Sequence, residues 1–206
     1  MDKTKLASLF PTPLYSSEIA ITDTIKDIVK RFQFERIDGG SANISVNKYV
    51  LNEPGLEDLK KIIDDHVQDF GHKIYSPADG VDFVLKNSWV MEHPPGDYNF
   101  AHFHVNSLIS GILYINVLPN SGDLIFQKSN DNLQLGMIDI GVKEYNPFNS
   151  KTFRVTPVEG QILLFPSNLF HRAETNQSDK TRYCLPFNYF VKGTLGKGGP
   201  EELIIL

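Results

Sequence analysis

The apolar positions in the first third of the chain recur at helical spacing. Ile25, Ile28, Val29 and Phe32 stand at i, i+3, i+4 and i+7, one face of an α-helix. Thr22 or Asp23 can cap its free amide groups, and Gly39-Gly40 closes the region. A second helical stripe runs from about Pro54 to Tyr75. Leu56, Leu59, Ile63, Val67, Phe70 and Ile74 form its apolar face, and Pro54 suits a first turn. His66 and His72 read as solvated or rim residues of this helix. After Pro77 the period changes. Short β-branched and aromatic runs alternate with clusters of Gly, Pro, Asn and Asp. The predicted strands are Phe83–Glu92, Phe100–His104, Leu108–Leu118, Leu124–Lys128, Thr152–Thr156, Gln161–Phe165 and Arg182–Lys192. "PNSGD" at 119–123 is a turn between two of them. Residues 129–151 form a long polar insertion, either a lid over a pocket or a surface excursion. The end, "GKGGPEELIIL", reads as a linker followed by a tail strand or a frayed terminus.

Helices first and strands afterwards is the order of an α+β protein, mainly β, with an antiparallel sandwich or jelly roll as its body. The two apolar helical stripes need a partner, so both helices are expected on one outer face of the β body. A single domain over 1–206 follows, with a helical part at 1–76, a β core at 77–192 and a tail at 193–206. A chain of 206 residues buries enough core to fold without disulfides or a structural metal. Its net charge of −5 offers no general basic face to nucleic acid or an anionic membrane, so neither is expected as a partner. The single cysteine, Cys184, forms no intrachain disulfide and reads as a small buried hydrophobe, the pattern of a reducing compartment. "MDKTKLASLFPTPLY" lacks a signal-peptide core, and no apolar run approaches the ~18 residues of a membrane helix. The expected location is cytoplasmic.

The candidate chemistry lies in "NFAHFHVNSLISGILYINV", where His102 and His104 are two residues apart. Side chains at i and i+2 of a strand share a face. If Phe100–His104 is extended, both imidazoles project to one side, with Phe103 and Val105 on the other. His171, after "GQILLFPSNLF", closes a strand and is the natural third member. Three imidazoles with open positions suit a catalytic Fe(II), Zn, Ni or Mn ion better than a closed structural site. The competing reading is a pair of histidines on a surface strand. Asp97, Asp123 and Glu174 are carboxylates able to approach in three dimensions. His93, in "EHPPGDY", reads as structural and Trp89 as core. Gly193–Lys197 lacks the spacing of a phosphate loop.

Gly96 precedes His102 by six positions, and Gly160 precedes Pro166 by six, with His171 five further on. These spacings resemble the half-motifs of double-stranded β-helix proteins. "HRAETNQSDKTRYCLPFNYF" resembles the iron(II)- and 2-oxoglutarate-dependent oxygenases, with "RYCLPFNYF" and "SGILYIN" similar to prolyl-hydroxylase strands. "SLFPTPLY", "SW" at 88–89, "HFHVNSLISGILYI" and "GQILLFPSNLFHR" together resemble a group of bacterial and phage members, over nearly the whole chain. The resemblance implies a double-stranded β-helix with the metal on His102, His104 and His171. It implies that Arg182 grips the far carboxylate of 2-oxoglutarate with help from Tyr114. Asn188 either orients the cosubstrate or a ligand or is an amide satisfied within its strand. The resemblance further implies Fe(II) as the cofactor, O2 as a reactant beside 2-oxoglutarate, succinate and CO2 as products, and hydroxylation of a peptide side chain or a small metabolite. The sequence departs from the wider superfamily at one position, where His104 stands in place of a carboxylate. Two rivals are a cupin-type three-His metalloenzyme without 2-oxoglutarate, such as a thiol dioxygenase or isomerase, and a non-catalytic jelly-roll binding module. The first leaves Arg182 and Tyr114 without a task, and the second predicts no turnover and no cosubstrate dependence.

Overall fold

The computed structural model describes residues 5–37, 42–128, 141–196, 198–200 and 202–206. The elements in chain order are β1 (Tyr15–Glu18), α1 (Asp23–Lys30), β2 (Phe34–Arg36), β3 (Asn43–Ser45), a 3-10 turn (Val50–Asn52), α2 (Glu57–Tyr75), β4 (Asp82–Ser88), β5 (Met91–His93), β6 (Ile109–Asn116), β7 (Leu124–Gln127), β8 (Thr152–Val155), β9 (Gln161–Pro166), β10 (Phe170–Ala173), β11 (Arg182–Leu195) and β12 (Leu203–Ile205). The protein is mostly β with two helices. Gly39-Gly40 and residues 129–140, most of the expected lid, lie outside the described residues.

Nine strands make one sheet along the path β1-β9-β6-β11-β5-β3-β2, with β4 and β12 also paired to β11; a second sheet has the order β10-β7-β8. β11 organises the large sheet. Its fourteen residues carry β6 along one edge and, in succession, β5 and β4 along the other.

Strand alternation divides the core in two. Leu185, Phe187, Tyr189 and Val191 of β11 join Ile109, Leu113 and Ile115 of β6 and Ile162 and Leu164 of β9 in one apolar cluster. The same cluster holds Val29 of α1 and Leu59, Ile63, Val67 and Phe70 of α2. Each such side chain contributes roughly 1.5–3 kcal/mol by leaving water. The helix approaches closely: a Cβ added at Gly71 would stand 2.2 Å from the Phe83 ring. The intervening positions, Cys184, Tyr114, Leu163 and Phe165, join Leu124 and Phe126 of the small sheet in a second cluster. Arg182, Cys184, Pro186 and Asn188 therefore share the face that looks between the sheets.

Helix α1 is capped by Thr22, whose Oγ1 accepts from the Ile25 amide at 3.3 Å. Several expectations need correction. Helix α2 starts at Glu57, three residues after Pro54, and Ile74 is 43% exposed because Gly71 occupies the contact with β4 instead. Phe83–Glu92 is two strands, not one. The Trp89 amide donates to the Pro186 carbonyl, and Pro186 has no N–H to return the bond. Ser45 and Val90 then bond each other, leading β5 to β3. The segment 1–76 is not only helical, since β1, β2 and β3 pair into the large sheet. The boundary at 193 falls inside β11, whose end pairs with β12. Phe100–His104 is not a strand. It meets β10 at one bridge, His102 with His171; the Asn99 amide bonds the Ala173 carbonyl, so three positions face two and no regular ladder forms. His171 itself lies within β10 rather than after a strand.

Candidate metal and cosubstrate site

The bridge that replaces the expected strand brings the histidines together. The His102 amide donates to the His171 carbonyl at 3.0 Å, and the His171 amide returns a bond to His102 at 2.9 Å. Two residues on, the His104 amide donates to the Ser167 carbonyl at 2.9 Å. One ring nitrogen from each of His102, His104 and His171 lies within 4.8 Å of the others. Phe103 and Val105 face outward, 44% and 69% exposed.

The hydrogen bonds of the imidazoles fix which nitrogen is free. His102 Nδ1 contacts the Phe100 carbonyl at 2.8 Å, His171 Nδ1 the Leu169 carbonyl at 2.9 Å, and His104 Nδ1 the Asn188 Oδ1 at 2.7 Å. A carbonyl oxygen only accepts, so each Nδ1 carries the proton. Each Nε2 is left with a lone pair. Metal-binding histidines use this pattern, with one nitrogen donating to an oxygen and the other ligating. Burial, with the neighbouring His102 as the next cause, lowers the His171 pKa to about 3. The same causes lower His104 to about 4. Both rings are therefore neutral ligands near pH 7.

The surroundings are aromatic. Trp89 stacks on His104 at 5.6 Å, and Phe165 meets His171 edge-on at 4.9 Å. The β-ladder sets Phe153 of β8 on the face of His171 and Phe126, at the sheet edge, where it is 62% exposed. Among the described residues no carboxylate joins the cluster. Asp97 pairs with Arg36, and Asp123 and Glu174 pair with Arg154 on the surface.

Asn188 touches His104 directly, so the structure sets its amide against a histidine. Its Nδ2 donates to Asn87 Oδ1 at 2.9 Å, and its Oδ1 also accepts from Ser110 Oγ at 2.7 Å. Ser110 contacts Ser167 at 2.9 Å, and Ser167 contacts Ser107 at 2.8 Å. Sequence reading missed this network, because its members stand in separate stretches of the chain.

Arg182 and Tyr114 lie further along the same interior face. Tyr114 is opposite Cys184 across β6 and β11 and is 2% exposed. Burial raises the pKa of its phenol, so it stays a hydroxyl donor. Arg182, 1% exposed, donates through Nη1 to the carbonyls of Ser121 at 2.7 Å and Gly122 at 2.8 Å. That turn is shaped by Gly122 at φ +87°, where a Cβ would strike the Glu174 carbonyl oxygen at 2.3 Å. Arg182 Nε is buried without a partner, and no carboxylate pairs with the guanidinium among the described residues. A buried cation without an anion is costly unless a ligand supplies one. A carboxylate-bearing cosubstrate fits this position, as a divalent metal fits the three Nε2 atoms.

A family model described as "Putative 2OG-Fe(II) oxygenase" matches residues 87–188, a span containing every residue of this site. No curated protein matches the chain in sequence. Among solved structures, a prolyl-4-hydroxylase from Pseudomonas putida is similar at TM-score 0.55 and 15% identity, covering 86% of this chain and 92% of its own. HygX from Streptomyces hygroscopicus, solved with nickel, 2-oxoglutarate and hygromycin B, is similar at TM-score 0.60 and 11% identity, covering 86% and 82%. A Trichoplax adhaerens prolyl hydroxylase, solved with a hypoxia-inducible-factor peptide fragment, matches at TM-score 0.59 and 14% identity, covering 86% and 82%. At these identities the likeness is one of fold. With the family match over the histidine and arginine segments, the chain belongs to the 2OG-Fe(II) oxygenases, oxidoreductases that use Fe(II) and 2-oxoglutarate.

Proposed function

We propose that His102, His104 and His171 hold Fe(II) through Nε2, that Arg182 and Tyr114 bind the distal carboxylate of 2-oxoglutarate, and that the reaction hydroxylates a peptide side chain or a small metabolite. The observation that carries this reading is the shared tautomer: three Nδ1 protons are committed to oxygen, and three lone pairs remain in one cluster. The iron and its cosubstrate supply the oxidising power, with O2 consumed and 2-oxoglutarate converted to succinate and CO2. The chain's own residues do the rest. Asn188 holds the ring of His104 in one orientation. Trp89 packs on His104, and Phe126 and Phe165 pack on His171, shielding those two rings. Arg182 gives the cosubstrate its direction, since a guanidinium is always charged and presents a planar fork to a carboxylate.

Neutral imidazole at His104 makes the metal centre one unit more positive than a site with a carboxylate there. A three-His enzyme without 2-oxoglutarate would share that centre, but it would leave Arg182 buried and unpaired. In this reading the two sheets form a double-stranded β-helix, and α1 and α2 pack on the outer face of the large sheet through the cluster around Leu59 and Phe187. The substrate test is succinate release by the Fe(II)-loaded protein across a panel of peptides and small metabolites. Substrate-stimulated succinate release with one product oxygen from O2 is expected. Turnover of a panel compound without 2-oxoglutarate would overturn the reading.

A further inference from the structure

Beside Arg182 stands a second buried polar group without a partner. His93 of β5 is directly opposite Arg182 of β11, so the two side chains share one face. His93 is 1% exposed, and neither ring nitrogen has a hydrogen-bond partner. Its backbone carbonyl is held by Asn176 Nδ2 at 2.7 Å, so the strand that carries it is fixed. Met91, two residues earlier, lies in the cluster between the sheets, which sets His93 on the interior face as well. Arg182 is close enough to hold the ring in its neutral form, with burial the larger cause. The Asn99 side-chain amide comes near enough to favour the protonated ring, but no contact of hydrogen-bond geometry joins it to either ring nitrogen. A neutral imidazole carries one N–H, and here no acceptor meets that donor at hydrogen-bond geometry. Buried polar groups in native proteins are nearly always paired, and adjacent orphans on two fixed strands point to a missing shared partner.

We infer that His93 is a further arm of the cosubstrate site, donating its N–H to the distal carboxylate of 2-oxoglutarate beside Arg182. The inference rests on the assignment of Arg182 above and adds a residue to it. A carboxylate has two oxygens and about four lone-pair sites, enough for Arg182 Nε and the imidazole together. Two donors on adjacent strands also make the subsite selective. It suits 2-oxo acids that end in a second carboxylate and gives little to those that end in a methyl group.

The experiment is calorimetric titration of the Ni(II)-loaded full-length protein with 2-oxoglutarate and, separately, with 2-oxobutyrate, which keeps the chelating end but lacks the second carboxylate. In His93→Leu, which fills the volume without a donor, the 2-oxoglutarate Kd should rise at least about tenfold, the loss expected for a hydrogen bond to a charged group. The 2-oxobutyrate Kd should change less than about threefold. His93→Gln, which retains an N–H, should recover part of the loss. The melting temperature of ligand-free His93→Leu should be unchanged or higher, since an orphaned polar group has been removed. Equal weakening of both ligands, or a lower melting temperature with unchanged 2-oxoglutarate affinity, would make His93 a structural residue and overturn the inference. Wild-type protein that bound Ni(II) but no 2-oxoglutarate would instead overturn the reading on which it rests.

Discussion

The interior face of β11 has two polar ends, and they are built in opposite ways. At Asn188 every partner is present. Its oxygen takes protons from His104 and Ser110, and its amide reaches Asn87. At Arg182, six residues away, the guanidinium leaves Nε bare, and His93 beside it is unpaired at both nitrogens. A satisfied network holds its members in one geometry whatever is bound. An unsatisfied one keeps a standing free-energy penalty that a ligand can remove. On the function proposed above, the difference separates a frame set for a metal from a pocket set for a carboxylate. The two ends should therefore fail independently.

Removal of a histidine gives the largest expected effect. His171→Ala should weaken Ni(II) or Co(II) binding by more than the ~10–100-fold that loss of an outer partner costs. Calorimetry or the Co(II) absorption spectrum would read it. Retention of wild-type metal affinity would remove His171 from the site and the comparison with it. Arg182→Ala comes next. Metal affinity should stay near wild type, because a guanidinium has no lone pair to offer a cation. The 2-oxoglutarate Kd should rise roughly 30- to several-thousand-fold, as expected when one side of a buried charge-assisted pair costs ~2–5 kcal/mol. Arg182→Lys should recover part of it, since a point charge cannot reproduce the planar fork. An unchanged Kd in Arg182→Ala would return the residue to a purely structural task of holding the 121–122 turn.

Asn188→Ala tests the other end. The His104 ring should lose its fixed orientation, and metal affinity should fall ~10–100-fold. Asn188→Asp keeps an acceptor oxygen for Nδ1 and should recover most of that loss. Neither variant should alter the preference for 2-oxoglutarate over 2-oxobutyrate. A change in that preference would mean that Asn188 touches the cosubstrate itself, and the two ends would no longer be separable.

The ends were also unequally legible in the sequence. His102, His104 and His171 could be grouped from residue spacing, yet the reason is not the expected strand. A single bridge to β10 and a bond to Ser167 hold the segment, and neither leaves a period-2 pattern to read. Arg182 is singled out only by resemblance to a family, since an arginine at the start of a strand has no local signal. Helix α2 and the long strands were visible because their apolar periods run for many residues. The strands β1, β2 and β3 were not, because three or four residues carry too little periodicity to separate them from loop. The Asn188 network joins groups 78 and 57 residues apart, so no local pattern announces it. His93 was read as structural because its lack of a partner is a property of the packed interior. A turn of sequence, "EHPPGDY", cannot display it.

The smallest expected effect lies deepest in the Asn188 network. Asn188 Oδ1 has no proton to give, so Ser110 must donate to it. Each hydroxyl has one proton. Ser110 is then the acceptor for Ser167, and Ser167 is free to accept from Ser107. The chain has one direction, toward the oxygen that also takes the His104 proton. Ser110→Ala cuts it at the last link. Asn188 Oδ1 keeps its bond from His104, while Ser167 loses its acceptor in a buried site. Stability should fall by about 1–3 kcal/mol, the usual penalty for an orphaned buried group. Metal affinity should fall only a few-fold, well short of Asn188→Ala, because the direct brace remains. Ser167→Ala should affect the metal still less, being one link further away. Chemical denaturation would give the first quantity and Ni(II) titration the second. A loss of metal affinity in Ser110→Ala as large as in Asn188→Ala would show that the hydroxyl chain, rather than the single Asn188–His104 bond, holds the histidine in place.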